Sequence, residues 1–426
     1  MESTVFRPNK NLRFAQKFFG TLKRGSEQLQ IINILSEKYK ESSSDVTEKV
    51  RPFIKSLVDT FGINLDVSMN PVFKSIPEFI HKTKYPTTAA IELTHKCNLE
   101  CKHCYGEYGK GAAAEMPFEK AIKLLKDLKK MGVRIIEYTG GEIGIYNKLA
   151  DLLKETLNLG FDFVVLLSNG VKLSSEVRQI LIDNKDRMYI QIDVHSFNEQ
   201  YLKWFTGRND ILNKTMKNIE TLAKKQVPIR IATIVTSKNI NELEQIADWA
   251  YMIGAKKFVV SPVIKLGMAK KNSKELFIEN ESDNKKLSEA LLNIQTKYPS
   301  FFSINEGSNS SRDNCGCLTS VIAIDPVGNI KLCSFDNGKY FNGLLGNVFE
   351  ENAKDIYDKH SELIKEIFHL KQPKYNSSDC KLCEHRTFCS HCLLRALMMG
   401  KEKTNCCNWY RNNVSDSLRL FFEGQE

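Results

Sequence analysis

Six apolar runs of strand character recur between residues 87 and 262, each separated from the next by a stretch of helical spacing, and this alternation restricts the fold more than any other feature. The runs are AAIELTH (89–95), RIIEYTG (134–140), FDFVVLLSN (161–169), MYIQIDV (188–194), PIRIATIVT (228–236) and KKFVVSP (256–262). Between them FEKAIKLLKDLKKMG, NKLADLLKETLNLG, NKTMKNIETLAKKQ and NELEQIADWAYMIG place apolar residues three and four apart, and several end at glycine, a common helix stop. Strands that are apolar throughout are buried on both faces, which calls for a parallel sheet covered by helices. The alternation predicts an α/β chain whose centre, over 87–300, is a curved, partial (β/α)6 TIM-like barrel. Its active site belongs at the carboxyl ends of the strands, where the loops gather.

The 426 residues exceed one ordinary domain. Residues 1–80 form a separate block: RGSEQLQIINILSEKYK and SSSDVTEKVRPFIKSLVDTFGI read as two helices, the second capped by serines at 42–44. LRFAQKFFGTLKRG before them reads as short strands, giving a winged-helix-like module. A polar stretch at 270–286 leads into a helix at about 284–297, and a cysteine-rich segment fills 312–426. With 42% hydrophobic and 26% charged residues and no apolar run near the roughly 18 residues of a membrane helix, no membrane span is expected. The N-terminus lacks a secretory signal, so a cytoplasmic location is expected. The formal charge of +10 comes from basic residues interleaved with acids, as in KAIKLLKDLKK. Such patterning reads as solvated helix faces rather than a nucleic-acid surface, and the mild basic excess would at most steer an acidic peptide.

Twelve cysteines in a chain expected to meet reducing conditions argue for metal rather than disulfides. Three, Cys97, Cys101 and Cys104, follow the first strand directly; none lies between Cys104 and Cys315, and nine lie beyond. Three thiolates in one short loop can hold three irons of a [4Fe-4S] cluster and leave the fourth open to a substrate, whereas zinc normally takes four ligands in two pairs. The run CNLECKHCY resembles the signature of the radical S-adenosylmethionine (SAM) superfamily. That resemblance implies that the open iron binds SAM, that an electron from the cluster cleaves it, and that the resulting 5'-deoxyadenosyl radical abstracts hydrogen from a substrate. It also implies that Tyr105 packs near the adenine and that Thr139, Gly140, Gly141 and Glu142 form the motif facing the methionine amino group. Ser168, Asn169, Gln191 and Asp193, at the ends of the third and fourth strands, would contact the ribose and methionine. Arg208 would neutralise the SAM carboxylate, and 262–268 (PVIKLGM) would line the adenine.

The later cysteines run Cys317-x10-Gly328-x4-Cys333, Cys380-x2-Cys383-x5-Cys389-x2-Cys392, then Cys406 and Cys407. This is similar to the SPASM extension of radical SAM enzymes, which normally holds two auxiliary [4Fe-4S] clusters, although that extension usually has three residues rather than two before the fourth cysteine of the central run. The resemblance implies Cys317, Cys333 and Cys392 on the first auxiliary cluster and Cys380, Cys383, Cys389 and one of Cys406 or Cys407 on the second. Either Cys315 completes the first set, or that cluster keeps an open iron. Two zinc sites using CKLC and CSHC with His385 or His391 are the alternative. His95, His103 and His195 beside the motifs read as packing residues, and no catalytic base is identified.

The module at 1–80 resembles the PqqD-like leader-recognition domain of peptide-modifying SPASM enzymes, in which a leader peptide adds a strand to a sheet edge. The chain as a whole resembles maturases of ribosomal peptides such as sactipeptide and ranthipeptide thioether synthases. The expected partners are therefore a ribosomal precursor peptide, bound through its leader, and a reducing protein such as flavodoxin or ferredoxin. The expected reaction installs a crosslink, thioether first and carbon–carbon second. A sulfatase-maturase-like dehydrogenase forming formylglycine is the alternative enzyme, and an iron–sulfur electron carrier or nucleic-acid regulator the alternative outside catalysis.

Overall fold

The structure, a computed structural model, describes residues 84–298, 301–304 and 314–423 apart from 110, 112, 339, 340, 342, 344 and 376, together with 42 and 44. The chain divides into two compact units, Met1–Lys84 and Tyr85–Glu426. The winged-helix-like module expected at 1–80 falls outside the described residues.

In the second unit the six expected strands form in order: β1 (Thr88–Thr94), β2 (Ile135–Gly140), β3 (Phe163–Ser168), β4 (Met188–Asp193), β5 (Ile229–Val235) and β6 (Lys257–Pro262). All pair in parallel with their sequence neighbours. The principal helices between and after them are α1 (Phe118–Met131), α2 (Leu149–Asn158), α3 (Ser175–Asp183), α4 (Glu199–Thr206), α5 (Ile211–Lys224), α6 (Leu243–Met252) and α7 (Glu281–Lys297). Helix α1 shows why they form. Ala121, Leu124, Leu125, Leu128 and Met131 recur on one buried face, and Gly132 ends the helix in the left-handed region with its N–H on the Leu128 and Lys129 carbonyls. Among the described residues no helix is long and apolar enough to cross a membrane.

Three further strands extend the sheet. β7 (Phe302–Ile304) joins β6, while β8 (Val321–Ile324) lies parallel to β1 and β9 (Ile330–Lys331) antiparallel to β8. The order is β7-β6-β5-β4-β3-β2-β1-β8-β9, so the barrel is partial and its first strand is covered by the cysteine-rich segment rather than left as an open edge. That segment continues as α8 (Ala353–Lys359), α9 (Ser361–His369), α10 (Leu393–Glu402), α11 (Asn408–Asn413) and α12 (Asp416–Glu423). Helix α8 packs on α1, and the Tyr357 hydroxyl donates to the Leu318 carbonyl at 2.9 Å.

The sheet's two faces differ. β1 is buried along nearly its whole length, but β4 and β5 alternate buried and half-buried residues. Their half-buried side carries Tyr189, Gln191, Asp193 and Arg230, so one face presents polar groups. A polar face on an otherwise apolar parallel sheet marks where a ligand is held rather than where helices pack.

Candidate active site

The loop after β1 carries Cys97, Cys101 and Cys104, all half-buried. It is pinned from both sides: Glu100 and Lys102 N–H donate to the Thr206 and Phe205 carbonyls at the end of α4, at 2.8 and 2.9 Å, and the Cys104 carbonyl accepts from Met268 N–H at 2.9 Å. Burial first, then neighbouring negative charge, pushes the Cys97 thiol up to about 12, and burial pushes Cys101 well above the usual range. Thiolates so placed require a cation beside them, which suits iron. Among the described residues no three ligating side chains converge on one ion-sized point.

The strand ends beside this loop gather most of the residues singled out above. Gly140 (φ 131°) and Gly141 pass directly under the loop, where added Cβ atoms would lie 2.4 Å from the Thr94 carbonyl oxygen and 2.2 Å from that of Lys96. The Glu142 carboxylate accepts from Gly144 N–H, Ser168 Oγ and Asn169 N–H, each at 2.8 Å. It thereby ties the end of β2 to that of β3, and burial raises its pKa to about 7 despite those donors. Asn169 Nδ2 donates to Asn98 Oδ1 in the cysteine loop at 2.9 Å, and Gln191 Nε2 to Asp193 Oδ1 at 3.1 Å. Burial lifts Asp193 to about 6. A small cavity among Leu99, Asn169, Asp193, His195, Leu202 and Thr215 opens here.

Thr139, at the end of β2, is buried. Arg208 ion-pairs with Glu100 of the loop at 2.8 Å, and its Nε is buried without a partner among the described residues. Tyr105 lies on the other side, its ring 5.3 Å from Phe335 and 5.8 Å from Tyr108. Inside the loop, His103 stacks on Phe205 at 4.5 Å and meets His195 edge-on at 5.3 Å; burial holds His103 down to about 4. Both histidines pack as neutral rings.

Eight of the nine later cysteines fall into two electrostatically linked sets. Cys315 and Cys317, joined by a hydrogen bond, act electrostatically with Cys333 and Cys392; that bond, then burial, drives Cys317 well up. Gly316, at φ 81°, makes the turn that puts both side chains at one place. Cys389 feels Cys407, Cys383 and Cys380, whereas Cys406 is exposed. The sequence left the Cys315 and Cys406/Cys407 choices open; in the fold Cys315 and Cys406 are exposed and Cys407 is half-buried. Two charged residues escaped notice: Glu92 in β1 and Lys331 in β9, which form a buried ion pair. Their signal was a single charge inside each of two otherwise apolar strands.

Residues 91–250 match the radical SAM superfamily. The subtilosin biosynthesis protein AlbA of Bacillus subtilis is 27% identical over 338 residues, 79% of this chain and 74% of that protein. An AdoMet-dependent heme synthase of Methanosarcina barkeri is 25% identical, over 74% of this chain and 94% of its own. Among solved structures, Streptococcus suis SuiB bound to S-adenosylmethionine superposes with a TM-score of 0.58 at 15% identity, covering 91% of this chain and 86% of that one. SuiB bound to the precursor peptide SuiA gives 0.59 at 15% identity, over 84% and 86%.

Proposed function

The chain is a radical SAM enzyme, and from that premise we propose that it matures a ribosomally made precursor peptide by installing a crosslink, a thioether before a carbon–carbon bond. The observation that carries this is the packing of Tyr105, next to Cys104, on Phe335, two residues from Cys333. That contact brings the residue after Cys104 beside the turn that carries Cys333, which supports an electron-accepting cluster next to the SAM-binding one. Likeness to AlbA over most of both chains supports a peptide as substrate, and SuiB, the structural neighbour, is solved with one.

In this proposal Cys97, Cys101 and Cys104 hold the SAM-binding cluster, Cys315, Cys317, Cys333 and Cys392 a fully ligated auxiliary cluster, and Cys380, Cys383, Cys389 and Cys407 a second. When bound, these groups supply the electron that cleaves SAM, the radical that takes a hydrogen atom, and an acceptor for one electron. The chain's own residues do the rest. Gly140 and Gly141 allow backbone to approach the methionine end, while Glu142 orders Ser168 and Asn169 around it. Asp193 and Gln191 present acceptors from β4, and Arg208, held by Glu100, offers its remaining donors to a carboxylate. For a thioether, the acceptor carbon loses a hydrogen atom, the substrate thiol loses its proton, the carbon–sulfur bond forms, and one electron leaves. A PqqD-like module at 1–80 would capture the leader and raise the local concentration of the segment to be modified. Flavodoxin or ferredoxin would supply reducing electrons.

The test is incubation of the reduced, reconstituted protein with SAM and the short peptide encoded beside its gene. Formation of 5'-deoxyadenosine together with loss of two hydrogens from a cysteine-bearing peptide is the expected result. The same mass loss from a peptide without cysteine moves the assignment to a carbon–carbon bond. Conversion of a lone cysteine or serine to formylglycine replaces crosslinking with dehydrogenation, and absence of 5'-deoxyadenosine overturns the proposal outright.

A further inference from the structure

Lys331 and Glu92 are 2% and 3% exposed, yet both are ionisable, and Lys331 Nζ lies 2.5 Å from Glu92 Oε1. Burying two charges is costly unless geometry and further hydrogen bonds compensate, and here they do. Glu92 Oε1 also accepts from the Tyr108 hydroxyl at 2.6 Å, and Oε2 meets His95 Nε2 at 3.0 Å. Nζ also donates to the Ser334 carbonyl at 3.4 Å. The remaining charged group near the lysine is Asp336, buried and accepting from Leu332 and Gly338 N–H.

The pair's place in the chain gives it meaning. Glu92 is on β1, His95 lies two residues before Cys97, and Tyr108 lies four after Cys104. Lys331 is two residues before Cys333, and Ser334 directly follows it. The sheet already joins these segments through β8, since Ala90 pairs with Ala323 and Ala323 with Lys331. Backbone pairing alone would have been served by any apolar residue at 331. A buried lysine opposite a buried carboxylate instead fixes one register and adds no net charge of its own, and the ring contacts of Tyr105 with Tyr108 and Phe335 close the same layer.

We propose that Glu92 and Lys331 are positioning residues that hold the Cys97–Cys104 loop and the Cys333 turn in one register and compensate each other's charge there. This rests on the assignment of Cys333 to an auxiliary cluster, whose potential responds to nearby charge and hydrogen bonding. Loss of the lysine leaves a buried negative charge, which favours the oxidised cluster; loss of the carboxylate does the reverse.

The test is a reductive titration followed by electron paramagnetic resonance on full-length reconstituted protein, wild type against Lys331→Met, Glu92→Gln and the double variant. The expected result is a lower auxiliary-cluster midpoint for Lys331→Met, a higher one for Glu92→Gln, and a return to the wild-type midpoint in the double variant. Shifts of both single variants in the same direction, as loosened packing would produce, or no shift with the cluster signal intact, overturn the proposal. If a single variant fails to retain its clusters, the double variant decides: recovered iron content supports the neutral-pair role, and continued loss overturns it. Iron content of Cys333→Ala is measured alongside, and retention of all iron there refutes the cysteine assignment itself rather than the role of the pair.

Discussion

Glu142 combines full burial with three donors that favour its charged form, yet burial wins and its pKa stands near 7 against an ordinary 4.5. Between those values the folded chain binds a proton that the unfolded chain releases, so stability falls as pH rises through this window. A pH series of thermal or denaturant unfolding on the cofactor-free protein should show that decline, about 3 kcal/mol at most from Glu142 by the size of its shift; Glu142→Gln should remove this share and leave the part contributed below about pH 6 by Asp193, whose pKa burial also lifts. The cysteines make a second residue-scale prediction. Cys407 is half-buried and feels Cys380 and Cys383, and Cys389 feels it in turn, whereas Cys406 is exposed. Cys407→Ser should lower bound iron by about four atoms per chain, measured by iron and sulfide assay, while Cys406→Ser leaves it unchanged. In the sequence these two neighbours are equivalent; the backbone turn ahead of α11 decides which one faces inward.

At the scale of elements, the six strands and four of the helices between 87 and 262 were readable because burial on both sheet faces leaves uninterrupted apolar runs, and these fell within a residue or two of their expected bounds, whereas the shorter α3 and α4 were not singled out. The strands outside that block were not. β7 and β9 are three and two residues long, too short for a periodic signal, and β8 exists as a strand because β1 offers an unpaired edge. The turn of Gly140 and Gly141 joins element to site, because it is there that β2 passes beneath the cysteine loop. A methyl group on Gly141 would meet the Lys96 carbonyl at 2.2 Å, so the loop must move. Gly141→Ala should therefore cost about 2 kcal/mol of stability, and misplacement of the loop should slow SAM cleavage by roughly a hundredfold. Unfolding curves and 5'-deoxyadenosine formation measure the two effects.

For the whole molecule, Tyr85–Glu426 is one compact unit in which the cysteine-rich segment completes the sheet begun by the barrel, while Met1–Lys84 is a unit apart. Removal of 1–84 should leave SAM cleavage near the full-chain rate but reduce modification of a leader-bearing peptide by tenfold or more, as expected when tethering is lost; comparison of 5'-deoxyadenosine with modified peptide checks this. Equal loss of both would show that the first unit supports the barrel instead. The sequence by itself determined the alternating α/β core and the three-thiol loop, because these are local: apolar period, and cysteines a few residues apart. Only the tertiary structure decided where Tyr105 and Arg208 lie, and that Glu92 and Lys331 share one buried pair. Those depend on β1 and β9 coming together across 239 residues, a proximity that chain spacing does not encode and that only sheet pairing and burial enforce.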